Sequence, residues 1–171
     1  NISSPNTKGL RDLQAAAALE ELLGRINEER ARLTNTHGEK PIFLKVAPDI
    51  IDAEVSDISQ IALATKIDAL IISNTTISRP PYLKSPHSKR QGGLSGKPLF
   101  ELSTQKLRDF KSVLGDKMPL IGVGGISSGD DAIKKLEAGA TAIQLYTGLV
   151  FHGMGLLREI RDAVAEYMHG K

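Results

Sequence analysis

Four short hydrophobic runs alternate with amphipathic segments along the chain. The runs span residues 42–46, 69–73, 119–123 and 142–146, and they are rich in leucine and β-branched residues. Their nearly continuous hydrophobicity is typical of strands that are covered on both faces of a parallel sheet. We therefore predict four buried strands.

Apolar residues spaced three and four apart predict one helix before the first strand and one after each strand. These helical patterns cover residues 19–33, 55–62, 107–114, 128–136 and 156–167. Repeated strand–helix units indicate an α/β fold in which helices cover a parallel sheet. Two closures fit this pattern: an open doubly wound sheet, or a (β/α)8 TIM barrel of which the chain forms roughly half.

Polar residues cluster where the predicted strands end. They occupy residues 73–76, 124–125 and 146–147, and residues 3–4 are serines near the chain start. In a barrel the carboxyl ends of the strands face a common mouth where active sites form, so this clustering favours the barrel. The connection at residues 77–92 is long and lacks a periodic pattern, which is typical of an active-site lid or a flexible surface insertion.

Glycines at the end of the third strand indicate an anion-binding turn. In residues 122–129 the glycines let backbone N–H groups approach an anion, and the following helix directs the positive end of its dipole there. The next strand ends on Tyr146, Thr147 and Gly148, which offer hydroxyl and amide donors. Barrels hold phosphate after their last two strands. The alternative for each segment is a tight turn that needs glycine for its geometry alone.

Lys45 lies inside an otherwise apolar strand, where a buried ammonium group needs an anionic partner. Three roles are open: a Schiff-base nucleophile, a cation beside an electron-rich cofactor, or an ion pair with a core carboxylate. Asparagines at the predicted mouth suit a planar amide or imide substrate, although asparagine is also a common turn residue. No histidine or carboxylate stands there as an obvious base, so a serine, a lysine or a cofactor must carry the chemistry.

Composition narrows the classes of function. Of the 171 residues, 40% are hydrophobic and 25% are charged, and a formal charge of +2 indicates no nucleic-acid surface. Cysteine is absent, which excludes disulfides and thiolate chemistry, and the four histidines are too scattered to predict a metal site. Because the chain opens on Asn1 without an initiator methionine or a signal sequence, we expect a segment to precede it.

Several motifs together resemble the family-2, quinone-dependent dihydroorotate dehydrogenases. In family order they are residues 1–11, 45–49, 73–76, 92–99, 122–129 and 144–147. The resemblance covers essentially the whole chain. It implies the C-terminal part of a TIM barrel, about strands 4 to 8, within one FMN-binding domain over residues 1–171. Residues 77–92 are then the active-site lid. Soluble family-1 enzymes carry cysteine at the base position, where this chain has a serine.

The resemblance also implies the reaction and the residues that perform it. Ser4 would remove the C5 proton of dihydroorotate with help from Thr7, while a hydride passes from C6 to N5 of FMN. The residues implied to hold the substrate are Asn1, Asn6, Asn74 and Thr75. The residues implied to bind FMN are Asn1, Lys45, Ser73, Ser95, Gly96, Gly124, Gly125, Tyr146 and Thr147.

The same resemblance implies partners and a location. Orotate is the product, a membrane quinone reoxidises the flavin, and an N-terminal segment makes the peripheral membrane contact. A bacterial enzyme would lie on the cytoplasmic face of the cell membrane, and a eukaryotic one on the mitochondrial inner membrane. Two alternatives stay open: a phosphate-binding barrel aldolase or lyase that uses Lys45 as a Schiff-base nucleophile, and a half-barrel that binds a ligand without catalysis.

Overall fold

A computed structural model describes residues 2–7 and 9–170 of the chain. The strands are β1 (Phe43–Val46), β2 (Ala69–Ile72), β3 (Leu120–Val123) and β4 (Ala142–Gln144). The α-helices are α1 (Ala16–His37), α2 (Asp52–Ala64), α3 (Phe100–Leu114), α4 (Gly129–Glu137), α5 (Thr147–His152) and α6 (Gly155–His169). Short 3-10 helices lie at Leu10–Gln14 and Lys97–Leu99.

The strands of the described residues form one parallel sheet in the order β1-β2-β3-β4. Every strand therefore pairs with the next strand along the chain, and the order never reverses. A doubly wound sheet reverses its strand order at a switch point, whereas a barrel does not. The observed order confirms the predicted parallel α/β fold and favours the barrel type of closure.

Helices α1, α2 and α3 cover this sheet because their apolar faces meet the buried strand side chains. Leu19, Ile58 and Phe110 are fully buried in this main core. A smaller core joins α4 to α6, where Leu156 and Ile160 are buried. The two helices approach closely because Gly129 has no side chain: a Cβ there would lie 2.5 Å from the Cβ of Ala163.

Two local features differ from the sequence predictions. Strands β2 and β4 end at Ile72 and Gln144, earlier than expected, because the chain leaves the sheet there to form polar turns. The short helix α5 was not predicted. It has only six residues and leaves Val150 and Phe151 exposed, so its sequence carries no amphipathic period. Among the described residues, no helix is both long and apolar enough to cross a membrane.

Candidate active site

A cleft of ≈ 410 Å³ lies at the carboxyl ends of the strands. It brings together ten of the residues predicted from the sequence, from five separate parts of the chain. These are Lys45, Ser73, Asn74, Thr75, Ser95, Gly96, Gly124, Gly125, Tyr146 and Thr147. Apolar side chains of Leu99, Val123, Ile126 and Leu145 form the remaining walls, together with Gly148. Because parallel strands present their carboxyl ends at one edge, the strand-end residues converge as expected.

The turn after β3 can only be built from glycine. Gly124 and Gly125 have φ angles of +109° and +78°, which L side chains rarely adopt. A Cβ on Gly125 would lie 2.5 Å from the Cα of Phe100, at the start of α3. The absence of a side chain lets the turn rest directly on that helix, with its backbone along the cleft.

Several backbone N–H groups of the cleft residues have no protein acceptor within the described part of the chain, and three of them belong to the predicted anion-binding turns. Within residues 2–7 and 9–170, those of Gly125, Thr147 and Gly148 donate to no protein acceptor. Gly148 is buried, and a Cβ there would overlap the carbonyl oxygen of Ile126. Buried backbone donors without a partner are rare in folded proteins. All three residues line the same cleft, which fits a bound anion.

The N-terminus of α4, in contrast, is already occupied by the protein's own carboxylates. Gly129 N–H donates to Glu159 at 2.9 Å, and Ser127 N–H donates to Asp131 at 3.0 Å. Ser128 caps the helix by accepting from Asp131 N–H. We expected this helix end to help bind the anion, but carboxylates already accept from the Ser127 and Gly129 N–H groups and Ser128 Oγ accepts from that of Asp131, so these three donors are engaged within the protein.

Lys45 lies half-buried in the cleft wall. Burial lowers the pKa of its ammonium group from the ordinary value, since a low-dielectric setting disfavours the charge. No carboxylate of residues 2–7 or 9–170 lies within ion-pair distance of it. The described residues therefore supply no internal salt bridge, which leaves the cofactor and nucleophile interpretations.

The polar segment after β2 is fixed by its own hydrogen bonds. Asn74 Nδ2 donates to Ser3 Oγ at 3.0 Å, and Asn74 Oδ1 accepts from Thr75 N–H at 2.8 Å. Ser73 is buried, and its hydroxyl donates to the carbonyl of Asn74 at 3.1 Å. These contacts set the orientation of the Asn74 amide and join this segment to the first residues of the chain.

Of the residues predicted to act on or hold the substrate, Asn74 and Thr75 line the cleft, whereas Ser4, Asn6 and Thr7 do not. Ser4 is partly exposed, and its Oγ accepts from the N–H of Asn6 at 3.2 Å. The side-chain oxygen of Asn6 accepts from Gly93 N–H at 3.2 Å, and Thr7 is exposed. Asn1 lies outside the described residues. Asn74, through Ser3, links Ser4 to the cleft.

Asp49, which so far stood only as part of the 45–49 motif, accepts hydrogen bonds from two other parts of the chain. Arg11 Nη1 lies 2.9 Å from its carboxylate, and the hydroxyls of Thr76 and Ser78 and the N–H of Ile77 also donate to it. Partial burial would raise the pKa of Asp49, but these hydrogen bonds outweigh burial and lower it below the ordinary value.

The connection from residue 77 to 92 contains no regular helix or strand, but one side chain organises it. The guanidinium of Arg79 donates to the carbonyls of Ser88, Arg90 and Gly92 at 2.9, 2.9 and 2.6 Å. An antiparallel bridge between Thr76 and Leu94 closes its base. Long connections held in this way are typical of functional loops.

Behind the glycine turn lies a fully buried lysine that the sequence analysis did not single out. Lys135 Nζ donates to Ser103 Oγ at 2.6 Å, and it stands 4.9 Å from the ring centre of Phe100. Ser103 Oγ in turn lies 3.1 Å from the carbonyl of Gly124. Burial lowers the pKa of Lys135 to about 7. A lysine on an amphipathic helix gives no sequence signal of such burial.

Comparison with known proteins gives a consistent result. The family described as dihydroorotate dehydrogenase matches residues 1–168. The dihydroorotate dehydrogenase (quinone) of Xanthobacter autotrophicus is 48% identical over 166 residues, which are 96% of this chain and 46% of that protein. The mitochondrial dihydroorotate dehydrogenase (quinone) of Arabidopsis thaliana is 47% identical over 97% of this chain and 36% of that protein.

Solved structures agree with these sequence matches. Crystal structures of DHODH from Eimeria tenella, ferulenol-bound and ligand-free, superpose with TM-scores of 0.91 and 0.92 at 36% identity. They cover 99% of this chain, which matches 49% and 50% of their own length. The chain thus spans about half the length, or less, of the relatives that it matches.

Proposed function

The chain belongs to the dihydroorotate dehydrogenase family, and on that premise we propose that it is part of an FMN-dependent enzyme that oxidises dihydroorotate to orotate. The observation that carries the proposal is the cleft, where three unpaired backbone N–H groups and a half-buried lysine lie together. A phosphorylated, electron-rich cofactor matches both features.

FMN fits the residues that line the cleft. Its phosphate would accept from the N–H groups of Gly125, Thr147 and Gly148, which have no protein acceptor within the described residues. Ser95, Gly96, Ser73, Gly124 and Tyr146 would line the rest of the cofactor site. When bound, FMN supplies the acceptor for the hydride that leaves C6 of the substrate.

Lys45 would stand against the flavin ring. Its ammonium group has no carboxylate partner among the described residues, so its charge is available to a ligand. In a partly desolvated cleft such a charge stabilises developing negative charge more strongly than it would in water. This role gives a reason for a lysine in an otherwise apolar strand.

Ser4 would take the C5 proton on its Oγ. A serine hydroxyl is a weak base, so it needs a group that accepts its own proton and a donor that stabilises the oxygen. The N–H of Asn6, 3.2 Å from Ser4 Oγ, supports the second requirement. Thr7, three residues further along the exposed segment, would support the first by hydrogen-bonding a relay that passes the Ser4 hydroxyl proton on to solvent water.

Substrate binding would fall to the asparagines and Thr75. The Asn74 amide is held by Ser3 and by the N–H of Thr75, and its Nδ2 retains a second hydrogen for a ligand. Asn6 is held by Gly93 at the base of the long loop, and we propose Asn1 as a further ligand. A ring with adjacent carbonyl and N–H groups matches such donors and acceptors.

We further propose that the four strands are the C-terminal part of one TIM barrel, with residues 77–92 as its lid. Anion donors after the last two strands support this position, because barrels hold phosphate there. Exposed Phe43 on the outer strand β1 and exposed Ala142 and Gln144 on β4 support continuation of the sheet beyond the described strands. An N-terminal segment would close the barrel and contact the membrane peripherally.

A membrane quinone would then reoxidise the flavin, at the cytoplasmic face of a bacterial cell membrane or at the mitochondrial inner membrane. The Xanthobacter and Arabidopsis relatives are both quinone-type dihydroorotate dehydrogenases, which supports a quinone as acceptor. The Arabidopsis relative is mitochondrial, which supports the second location for a eukaryotic enzyme.

Substitution of Ser4 tests the proposal. In the full-length protein, Ser4→Ala should retain FMN but slow flavin reduction by dihydroorotate at least a hundredfold, since general-base catalysis contributes about 10²–10⁴-fold. Ser112→Ala is a matched control, because Ser112 lies on exposed α3 surface and donates only to the carbonyl of Asp109. Unchanged reduction by Ser4→Ala would contradict the assignment.

The lowered pKa of Lys45 also fits a Schiff-base nucleophile, which is the second candidate function. Treating the full-length protein with a carbonyl substrate and borohydride, which reduces any Schiff base formed on a lysine, distinguishes the aldolase from the dehydrogenase. Covalent labelling of Lys45 would support the aldolase, and flavin reduction without labelling would support the dehydrogenase.

A further inference from the structure

We propose that Asp49 and Arg11 are positioning residues that fix the base of the 77–92 loop and the Thr75 backbone relative to the Ser4 segment. This inference rests on the proposed function for its kinetic consequence. The hub, defined here as Asp49 with Arg11, Thr76, Ile77 and Ser78, lies outside the lining of the cofactor cleft.

The Asp49 carboxylate is hydrogen-bonded to two segments that the proposed reaction needs close together, the one after Ser4 and the one after β2. Asp49 follows strand β1, whose Lys45 reaches the cleft, while Arg11 follows the Ser4 segment. Arg11 binds two targets: Nη1 lies 2.9 Å from Asp49, and Nη2 lies 3.0 Å from the carbonyl of Thr75. The first residues of the chain and the end of β2 are thereby tied to one point.

The same carboxylate holds the loop where it leaves the sheet. Asp49 accepts from the hydroxyls of Thr76 and Ser78 and from the N–H of Ile77 at 3.0 Å. These are three consecutive residues, so the direction in which the loop leaves β2 is set by Asp49. Arg79, the next residue, then organises the remaining loop through its carbonyl contacts.

Because Asp49 and Arg11 are largely buried, a single substitution at Asp49 should weaken the hydrogen bonds of the whole hub. The Asp49 side chain is 11% exposed and that of Arg11 is 22% exposed. Hydrogen bonds to a charged, poorly solvated carboxylate are worth more than those between neutral groups. Replacing Asp49 with asparagine removes the charge and turns one acceptor into a donor that faces other donors.

Asp68 provides a matched control at the opposite end of the same strands. It accepts from Arg30 at 2.8 Å and from the N–H of Ile42 at 2.7 Å, just before β1. It therefore joins a helix to the sheet through an arginine, as Asp49 does, but far from the loop. Asp68→Asn should affect stability without affecting the loop or the substrate.

The test compares the full-length wild type, Asp49→Asn and Asp68→Asn by trypsin digestion. The loop offers cleavable bonds after Lys84, Lys89 and Arg90, whereas Pro80 protects the bond after Arg79. We expect Asp49→Asn to speed cleavage at these bonds about tenfold, because the loss of a charged hydrogen bond corresponds to about tenfold or more in population. Asp68→Asn should cleave there at the wild-type rate.

Kinetics separate positioning from general stabilisation. For Asp49→Asn we expect KM for dihydroorotate to rise about tenfold while flavin content stays at the wild-type level, since the cofactor donors lie elsewhere. If Asp49→Asn does not fold, Thr76→Val removes a single donor from the hub and should give the same pattern in weaker form.

The outcomes are distinct. Wild-type cleavage rates and wild-type KM in Asp49→Asn would overturn the inference, and so would equal changes in Asp68→Asn. If dihydroorotate fails to reduce the wild-type flavin, the proposed function fails. The digestion comparison would still decide the role of the hub.

Discussion

The glycine turn after β3 makes a sharp prediction, because Gly125→Ala adds one methyl group at a place with no room for it. The new Cβ would lie 2.5 Å from both Cα and Cβ of Phe100 and 2.6 Å from its backbone nitrogen. Two of these atoms belong to the backbone of α3, so no side-chain rotation can relieve the contact. The turn must therefore move away from the helix.

The free-energy cost of Gly125→Ala has two parts. A non-glycine residue at φ +78° costs about 1–2 kcal/mol, and overpacking a close contact costs about 1–3 kcal/mol more. Any shift of the turn moves the Gly125 N–H away from the anion, and a hydrogen bond to a charged group is worth about 1.5–3 kcal/mol. We therefore expect FMN to bind at least about tenfold more weakly.

The assay is FMN release from the full-length protein, followed by the fluorescence of free flavin, together with the unfolding temperature. Gly153→Ala is the matched control, because Gly153 has a φ of +66° but a Cβ there would meet nothing within 4 Å. It should lose stability from backbone strain alone and retain FMN. A dissociation constant for Gly125→Ala within twofold of the wild type would refute the anion-site assignment.

Two lysines yield the remaining predictions. Lys45→Met should keep FMN bound through the backbone donors but slow its reduction by dihydroorotate about a hundredfold, the usual loss when one electrostatic stabiliser is removed; stopped-flow absorbance measures this, and unchanged reduction would contradict it. Burial lowers the pKa of Lys135 from 10.5 to about 7, so between these values the unfolded chain binds the proton and the folded chain does not. The free energy of unfolding should therefore rise with pH in this window by up to about 1.4 kcal/mol per unit. Lys135→Met should remove that part of the slope in urea unfolding, and an unchanged slope would exclude Lys135 as its source.

The fold was predictable where hydrophobic periodicity is strong. The long helix α1 and the four strands each carry a clear period or a continuous apolar run, and their order confirmed the parallel sheet. Helix α5 was not predictable, because its apolar residues Val150 and Phe151 are exposed and do not form the periodic pattern of a buried helix face. Short elements set by the surrounding turns leave little trace in sequence.

The candidate site was predictable from residue types at strand ends, and the cleft brings most of them together. The N-terminus of α4 was treated as free, but Glu159 of helix α6, 30 residues further along the chain, already accepts from its Gly129 N–H. Asp49 and Lys135 were missed for a related reason. Both residues contact partners that are remote in sequence, Arg11 and Ser103, and the local sequence around them does not predict these contacts.

The most direct test of the account is the visible spectrum of the purified full-length protein before and after anaerobic addition of dihydroorotate. The account predicts a bound flavin whose absorbance bleaches when the substrate is added, in proportion to the protein present. A folded full-length protein that binds FMN but stays oxidised would contradict the substrate assignment. A folded protein that binds no flavin would contradict the central claim itself.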